Sequence, residues 1–212
     1  MISTYIFDLD GVIVDTAKYH YLAWKKLADQ LGISFSKEQN ELLKGVSRIR
    51  SLEIILELGG KTLSQEEFDA CLMQKNEDYL AYINQMDESE ILPDVVKTLD
   101  SIRERGGKIV LGSASKNAQP ILEKVGLLSY FDAIVDGNDV TKAKPDPEVF
   151  LLGAQRVQAQ PHECVVFEDS VAGIQAANIA GMRSVGIGEK EVLKEAYYVC
   201  KDFSEFDWNS LL

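Results

Sequence analysis

The chain has 212 residues, a formal net charge of -12 and 46% hydrophobic residues, enough to bury one α/β domain or a domain with an insert. The acidic balance makes nucleic acid and anionic membrane poor partners, because binding a phosphate backbone wants a basic face. No run of about 18 apolar residues and no basic-then-apolar leader occurs, so we expect a cytoplasmic protein with no membrane partner.

Taken in chain order, residues 3–8 read as a strand, since Tyr5, Ile6 and Phe7 are aromatic or β-branched and uncharged. Two carboxylates, Asp8 and Asp10, follow at once. From about residue 16 to 87 only helical patterns occur. His20, Trp24, Leu27 and Leu31 share one helical face. Residues 46–59 and 64–84 also read as helices, the first ended by Gly59 and Gly60 and the second capped by Ser64. An αβ rhythm returns at Pro93, with helices at 94–105, 117–126, 147–158 and 170–180 and strands at 107–112, 132–135, 163–168 and 183–187. Short apolar strands separated by helices of this length predict a parallel sheet covered on both faces. The helical insert then forms a cap over the strand ends, where ligands of open α/β folds bind. Cys71, Cys164 and Cys200 lack zinc-ligand spacing and read as small buried hydrophobes.

The predicted carboxyl ends of the strands collect chemistry. The first delivers Asp8 and Asp10, and the second runs into "GSASKN", a small polar turn able to offer N–H groups and hydroxyls to an anion. The loop after the third leads to Lys144 in "KAKPDP", and the fourth delivers Glu168 and Asp169. Singly, each has an ordinary reading: D-x-D as a turn, "SASK" as a helix cap, Lys144 as a solvated lysine, Glu168 and Asp169 as helix-dipole partners. Gathered at one sheet edge they fit phosphoryl transfer. Carboxylate and carbonyl oxygens suit Mg²⁺, an aspartate can attack phosphorus, a second carboxylate can move the proton, and a lysine neutralises the transferring group.

"FDLDGVIVDT", "SAS", "KPDP" and "FEDS" resemble, in order, the four motifs of the haloacid dehalogenase superfamily. The resemblance implies a Rossmann-like core of residues 1–15 and 89–212, a helical cap of residues 16–88, and a Mg²⁺ cofactor. It implies Asp8 as nucleophile and metal ligand and Asp10 as general acid/base, also giving the metal its backbone carbonyl. Asp169 binds the metal with Glu168 beside it, and Ser113 and Lys144 hold the phosphoryl group. The cap segments "TAKYHYLAWKKLADQLGI", "LLKGVSRIRSLEIIL" and "KNEDY" further resemble the sugar-phosphate mutase branch of that superfamily, the likeness fading after about residue 189. That branch implies interconversion of β-glucose 1-phosphate and glucose 6-phosphate through bound β-glucose 1,6-bisphosphate. By the same likeness Arg48 grips the unreactive phosphate, helped by Ala114, Ser115, Lys116 and Asn117, while His20, Trp24, Gly45 and Lys75 line the sugar pocket.

By base rate His20 and Trp24 also read as core residues, and Lys44, Arg48 and Arg50 as a solvated face. Arg50 stands where the resemblance implies an acid or polar residue, and an extra cation there would widen the choice of sugar phosphate. The stretch between "IVDG" and Lys144 receives no role. A sugar-phosphate or phosphoglycolate phosphatase with the same first half-reaction is the rival enzyme, and a non-catalytic sugar-phosphate sensor the rival outside catalysis. We expect a monomer whose cap hinges near residues 14–16 and 86–92.

Overall fold

The uncharged run Thr4–Phe7 forms β1, and all four residues are buried. In the computed structural model, which describes residues 2–43 and 46–211, β1 is followed by α1 (Ala17–Gln30), α2 (Lys37–Asn40), α3 (Arg48–Gly59), α4 (Gln65–Ile83) and α5 (Val95–Glu104). Then come β2 (Lys108–Gly112), α6 (Ala118–Lys124), β3 (Ala133–Val135), α7 (Glu148–Arg156), β4 (Cys164–Glu168), α8 (Val171–Ile179), β5 (Arg183–Ile187) and β6 (Tyr198–Cys200). The six strands are all parallel, in the order β3-β2-β1-β4-β5-β6. The chain winds outward from β1 on one side and then returns to the other, so the order reverses beside β1, which is where open α/β sheets hold ligands.

Alternation along the strands divides the core. Tyr5 and Phe7 of β1, Ile109 and Leu111 of β2, and Val165 and Phe167 of β4 pack with α5 and α6 on one face. Ile6, Val110 and Val166 face the other way, against Phe150 of α7 and Ala176 and Ala177 of α8. Both faces are thus apolar, and β1 carries no charge until it ends.

The helices α1–α3 build a third apolar cluster around Trp24, Leu27, Phe35, Leu52 and Ile55. Ser64 caps α4 in a reciprocal box with Glu67, and Gly60 ends α3 in the left-handed conformation at φ 59°. The two strands of chain that join this helical segment to the sheet lie side by side: Asp15 donates to the Glu90 carbonyl at 2.9 Å and Leu92 to that of Ile13 at 3.0 Å. Two elements exceed the sequence reading. Lys37–Asn40 is a single helical turn, capped by Ser36 and Gln39. Tyr198–Cys200 adds an edge strand against β5. The cysteines are free; burial pushes the thiol of Cys164 up to about 11 and that of Cys200 up to about 12, so both are protonated apolar fillers.

Candidate active site

Beyond Phe7 the backbone is held in a tight turn. Asp8 N–H donates to the Phe167 carbonyl at 3.0 Å, Ile13 N–H to that of Leu9 at 2.9 Å, and Gly11 N–H to that of Val14 at 2.9 Å. Leu9, Val12 and Ile13 are fully buried. With Leu9 turned inward, Asp8 and Asp10 on either side of it both line one cavity of about 430 Å³ between the strand ends and the helical segment. Gly11 is needed there twice over: its φ is 79°, and a Cβ would collide with the carboxylate of Asp169, which lines the same cavity.

Lys144 lies directly beneath. Its ammonium donates to Asp8 Oδ1 and to Glu168 Oε1, each at 2.6 Å, with its side chain 1% exposed. The other Glu168 oxygen accepts from the Ser170 N–H at 2.7 Å and hydroxyl at 2.8 Å, and Ser170 in turn caps α8. Glu168 therefore orients Lys144 from behind Asp8, and its Oε1 keeps one lone pair for a further partner. One buried cation serves two buried carboxylates. Burial, offset in part by Lys144 and reinforced by Glu168 and Asp10, pushes Asp8 up to about 7. Burial pulls Lys144 down, but Asp8 and Glu168 outweigh it and hold its pKa above the ordinary lysine value.

Asp10 faces the helical segment. It accepts from the Thr16 hydroxyl, and His20 Nε2 lies 3.7 Å from its Oδ1. Burial pushes Asp10 up, yet His20 and Thr16 hold it below the ordinary carboxylate value. On its other side His20 Nδ1 meets the Lys75 ammonium at 2.9 Å, and its ring stacks on Tyr79 with centroids 4.2 Å apart. Lys75 sits over Trp24 and Tyr79, 4.8 and 4.5 Å from the ring centres.

The turn after β2 supplies the opposite wall. Ser113 is buried; its hydroxyl accepts from Ser115 N–H at 3.1 Å, and the Ser115 hydroxyl accepts from Asn117 N–H at 3.2 Å. Ala114, Ser115, Lys116 and Asn117 line the cavity, and Asn117 Nδ2 donates across to Asn76 Oδ1 of α4 at 3.1 Å. Arg48, the first residue of α3, lines the cavity, half-buried, and no carboxylate pairs with it among the described residues. Arg50 does not reach the cavity. It is exposed and held by Glu53 at 3.0 Å and Glu57 at 2.8 Å on its own helix, so the widened substrate choice expected of it has no basis in the fold. Gly45 lies outside the described residues.

Sequence reasoning passed over several residues of the site. Thr16, buried six positions after Asp10, is the donor that holds Asp10. Val140, Thr141, Lys142 and Ala143, given no role above, form part of the wall, anchored where Glu148 accepts from the backbone of Thr141 and Lys142 at 2.9 and 2.7 Å. Asn40 and Ser51 line it from the helical side.

The donor set fits a hard divalent cation. Asp8, Asp10 and Asp169 open on one cavity with negative charge in excess of Lys144, and their donors are oxygens. Among the described residues no three acidic, histidine or cysteine side chains converge closely enough to enclose a metal alone. A backbone carbonyl and waters must complete the shell, which is the habit of Mg²⁺.

Residues 2–181 match the family model described as haloacid dehalogenase-like hydrolase. The chain is 41% identical over 202 residues to the β-phosphoglucomutase of Bacillus subtilis, covering 94% of this chain and 89% of that protein. It is 37% identical to a fructose-1-phosphate phosphatase of Escherichia coli, over 86% of this chain and 94% of that one. A crystal structure of β-phosphoglucomutase from Clostridium difficile superimposes with a TM-score of 0.95 at 43% identity, over 99% of this chain and 95% of that chain. The parallel α/β core, the four strand-end motifs and this extent of similarity agree: the chain belongs to the haloacid dehalogenase-like hydrolase family.

Proposed function

We propose that the chain is a phosphomutase that interconverts β-glucose 1-phosphate and glucose 6-phosphate, using residues 1–15 and 89–212 as core and 16–88 as cap. The observation that carries the reading is that Arg48, a cation without a carboxylate partner among the described residues, lines the same cavity as Asp8. A phosphatase needs one phosphate site, whereas a mutase needs two so that a bisphosphate can bind either way round. The 41% identity to a β-phosphoglucomutase supports the same choice.

In the first half-reaction the Asp8 carboxylate attacks phosphorus of β-glucose 1,6-bisphosphate, and the bond from phosphorus to the sugar oxygen breaks. Asp10 gives that oxygen its proton. Glucose 6-phosphate leaves and β-glucose 1-phosphate takes its place; Asp10 takes the proton of its 6-hydroxyl, the freed oxygen attacks the phosphoryl group on Asp8 as the bond from phosphorus to the carboxylate breaks, and the bisphosphate so regenerated turns round for the next transfer. Lys144 screens the repulsion between Asp8 and the phosphoryl oxygens, and the turn from Ser113 to Asn117 receives them. Asp8, Asp169 and the Asp10 carbonyl, with Glu168 beside them, would hold Mg²⁺, which would neutralise charge on the transferring group. A closed cap keeps water from the aspartyl-phosphate. The cytoplasmic, monomeric setting belongs to the same proposal.

The 37% identity to a fructose-1-phosphate phosphatase favours the rival in which water takes the phosphoryl group. Incubation with β-glucose 1-phosphate, Mg²⁺ and catalytic bisphosphate separates them. The proposal expects glucose 6-phosphate in large excess over free phosphate; stoichiometric phosphate release establishes the rival.

A further inference from the structure

Asn40 ends α2 in the helical wall of the cavity and is 8% exposed. Its Oδ1 is buried and has no hydrogen-bond partner among the described residues. A buried amide oxygen without a donor is rare in folded proteins. The neighbouring hydroxyls of that wall each have one partner of their own: that of Ser47 accepts from the Arg50 N–H at 3.2 Å, and that of Ser51 donates to the Ser47 carbonyl at 3.1 Å. The cationic groups, Arg48 and Lys75, suit phosphate. Trp24 and Leu43 beside them are apolar. Asn40 thus brings a buried, uncharged amide to the lining of the cavity that Trp24 and Leu43 also line.

We propose that Asn40 is a specificity-determining residue that reads one hydroxyl of the sugar ring from the cap side. The inference rests on the sugar-phosphate reading above and adds to it the group that recognises the sugar itself. A carboxamide presents an acceptor and a donor side by side, and a half-turn about its last torsion exchanges them at little cost. A hydroxyl both donates and accepts, so it satisfies the orphan oxygen and engages the amide nitrogen together. A phosphate, having no donor when fully ionised, leaves the oxygen unmet. An orphan buried acceptor costs stability, and a sugar hydroxyl that donates to it would offset that cost.

The test compares wild type, Asn40→Leu and Asn40→Ala on β-glucose 1-phosphate and on its 2-, 3- and 4-deoxy analogues. We expect about ten- to a hundredfold lower kcat/KM for both variants on the parent sugar, as for loss of a neutral hydrogen bond in a dry site. On one deoxy analogue, the one lacking the contacted hydroxyl, variants and wild type become equal. Phosphorylation of Asp8 by acetyl phosphate stays at the wild-type rate, and the thermal midpoint of Asn40→Leu is equal or higher. Equal losses on the parent and all three analogues, no loss at all, or a lowered midpoint with proportionate losses would overturn the proposal. Should wild type release phosphate instead of isomerising, the mutase reading fails, and the same comparison made on phosphate release still decides the role of Asn40.

Discussion

The Lys75 ammonium lies 2.9 Å from Nδ1 of His20, which leaves the opposite ring nitrogen facing Asp10 at 3.7 Å. A lysine thereby fixes the tautomer of the histidine beside the proposed acid/base, with Nδ1 accepting and Nε2–H turned to the carboxylate. Among the described residues no carboxylate lies at that distance from Lys75. Burial, and then Arg48, pull its pKa down to about 7, with Asp10 opposing; burial and Lys75 lower that of His20.

The shift on Lys75 makes a stability prediction with a definite sign. In the unfolded chain the lysine holds its proton up to its ordinary value of 10.5, whereas in the folded protein it releases it near 7. Between these pH values the unfolded chain binds more protons, so stability rises with pH; below about 7 both forms are protonated and the burial cost is fully present. Lys75→Met should remove that rise. Urea unfolding at pH 6 and pH 9 should show the variant gaining roughly 2–4 kcal/mol more, relative to wild type, at the lower pH. A parallel pH profile for both proteins contradicts the assignment.

Lys144 makes the opposite case, a buried cation with two partners. Its removal in Lys144→Ala leaves Asp8 and Glu168 facing each other in a dry site. Breaking such a pair costs about 3–5 kcal/mol. The cost should be largest at pH 8 and smaller at pH 5, because Asp8, whose pKa is already raised to about 7, takes up a proton as pH falls. Denaturation at the two pH values checks this, and an equal loss at both excludes the charge argument.

A third prediction concerns Gly11. Gly11→Ala places a methyl group where the Asp169 carboxylate lies, at a φ of 79° that side chains rarely adopt. The variant should fold with a lowered midpoint and bind Mg²⁺ more weakly by tenfold or more, as when the orientation of a metal ligand is disturbed. Calorimetric titration with Mg²⁺ measures it. Unchanged affinity removes Asp169 from the proposed ligand set.

Much of this arrangement was legible in the sequence, for a physical reason. A buried strand tolerates no charge until it ends, so "YIFDLD" announces both the strand and its terminal acids. The same reasoning located Lys144 and the turn from Ser113. Contacts between distant residues left no such trace: nothing in the spacing of His20 and Lys75 says that they meet. Arg48 and Arg50 differ by two positions, which on a helix is about 200° of rotation, so one faces the cavity and the other its own helix's glutamates. The edge strand Tyr198–Cys200 has only three residues and one paired side, too little apolar pattern to distinguish it from a loop.

In the proposed mutase, Asp8 passes its phosphoryl group to a sugar phosphate rather than to water because Arg48 holds the second phosphate. Guanidinium can bind phosphate in a bidentate way, and cutting such a buried contact costs about 2–5 kcal/mol. Phosphorylation of Asp8 by acetyl phosphate uses only the core site and should survive Arg48→Ala. The deciding measurement takes the two phosphorylated proteins, supplies β-glucose 1-phosphate, and records glucose 6-phosphate and free phosphate together. Isomerisation should fall about thirtyfold or more in Arg48→Ala while hydrolysis does not, so the ratio of hydrolysis to isomerisation rises. An equal fall in both outputs, or no change in either, would contradict it and leave Arg48 as a surface charge on the cap.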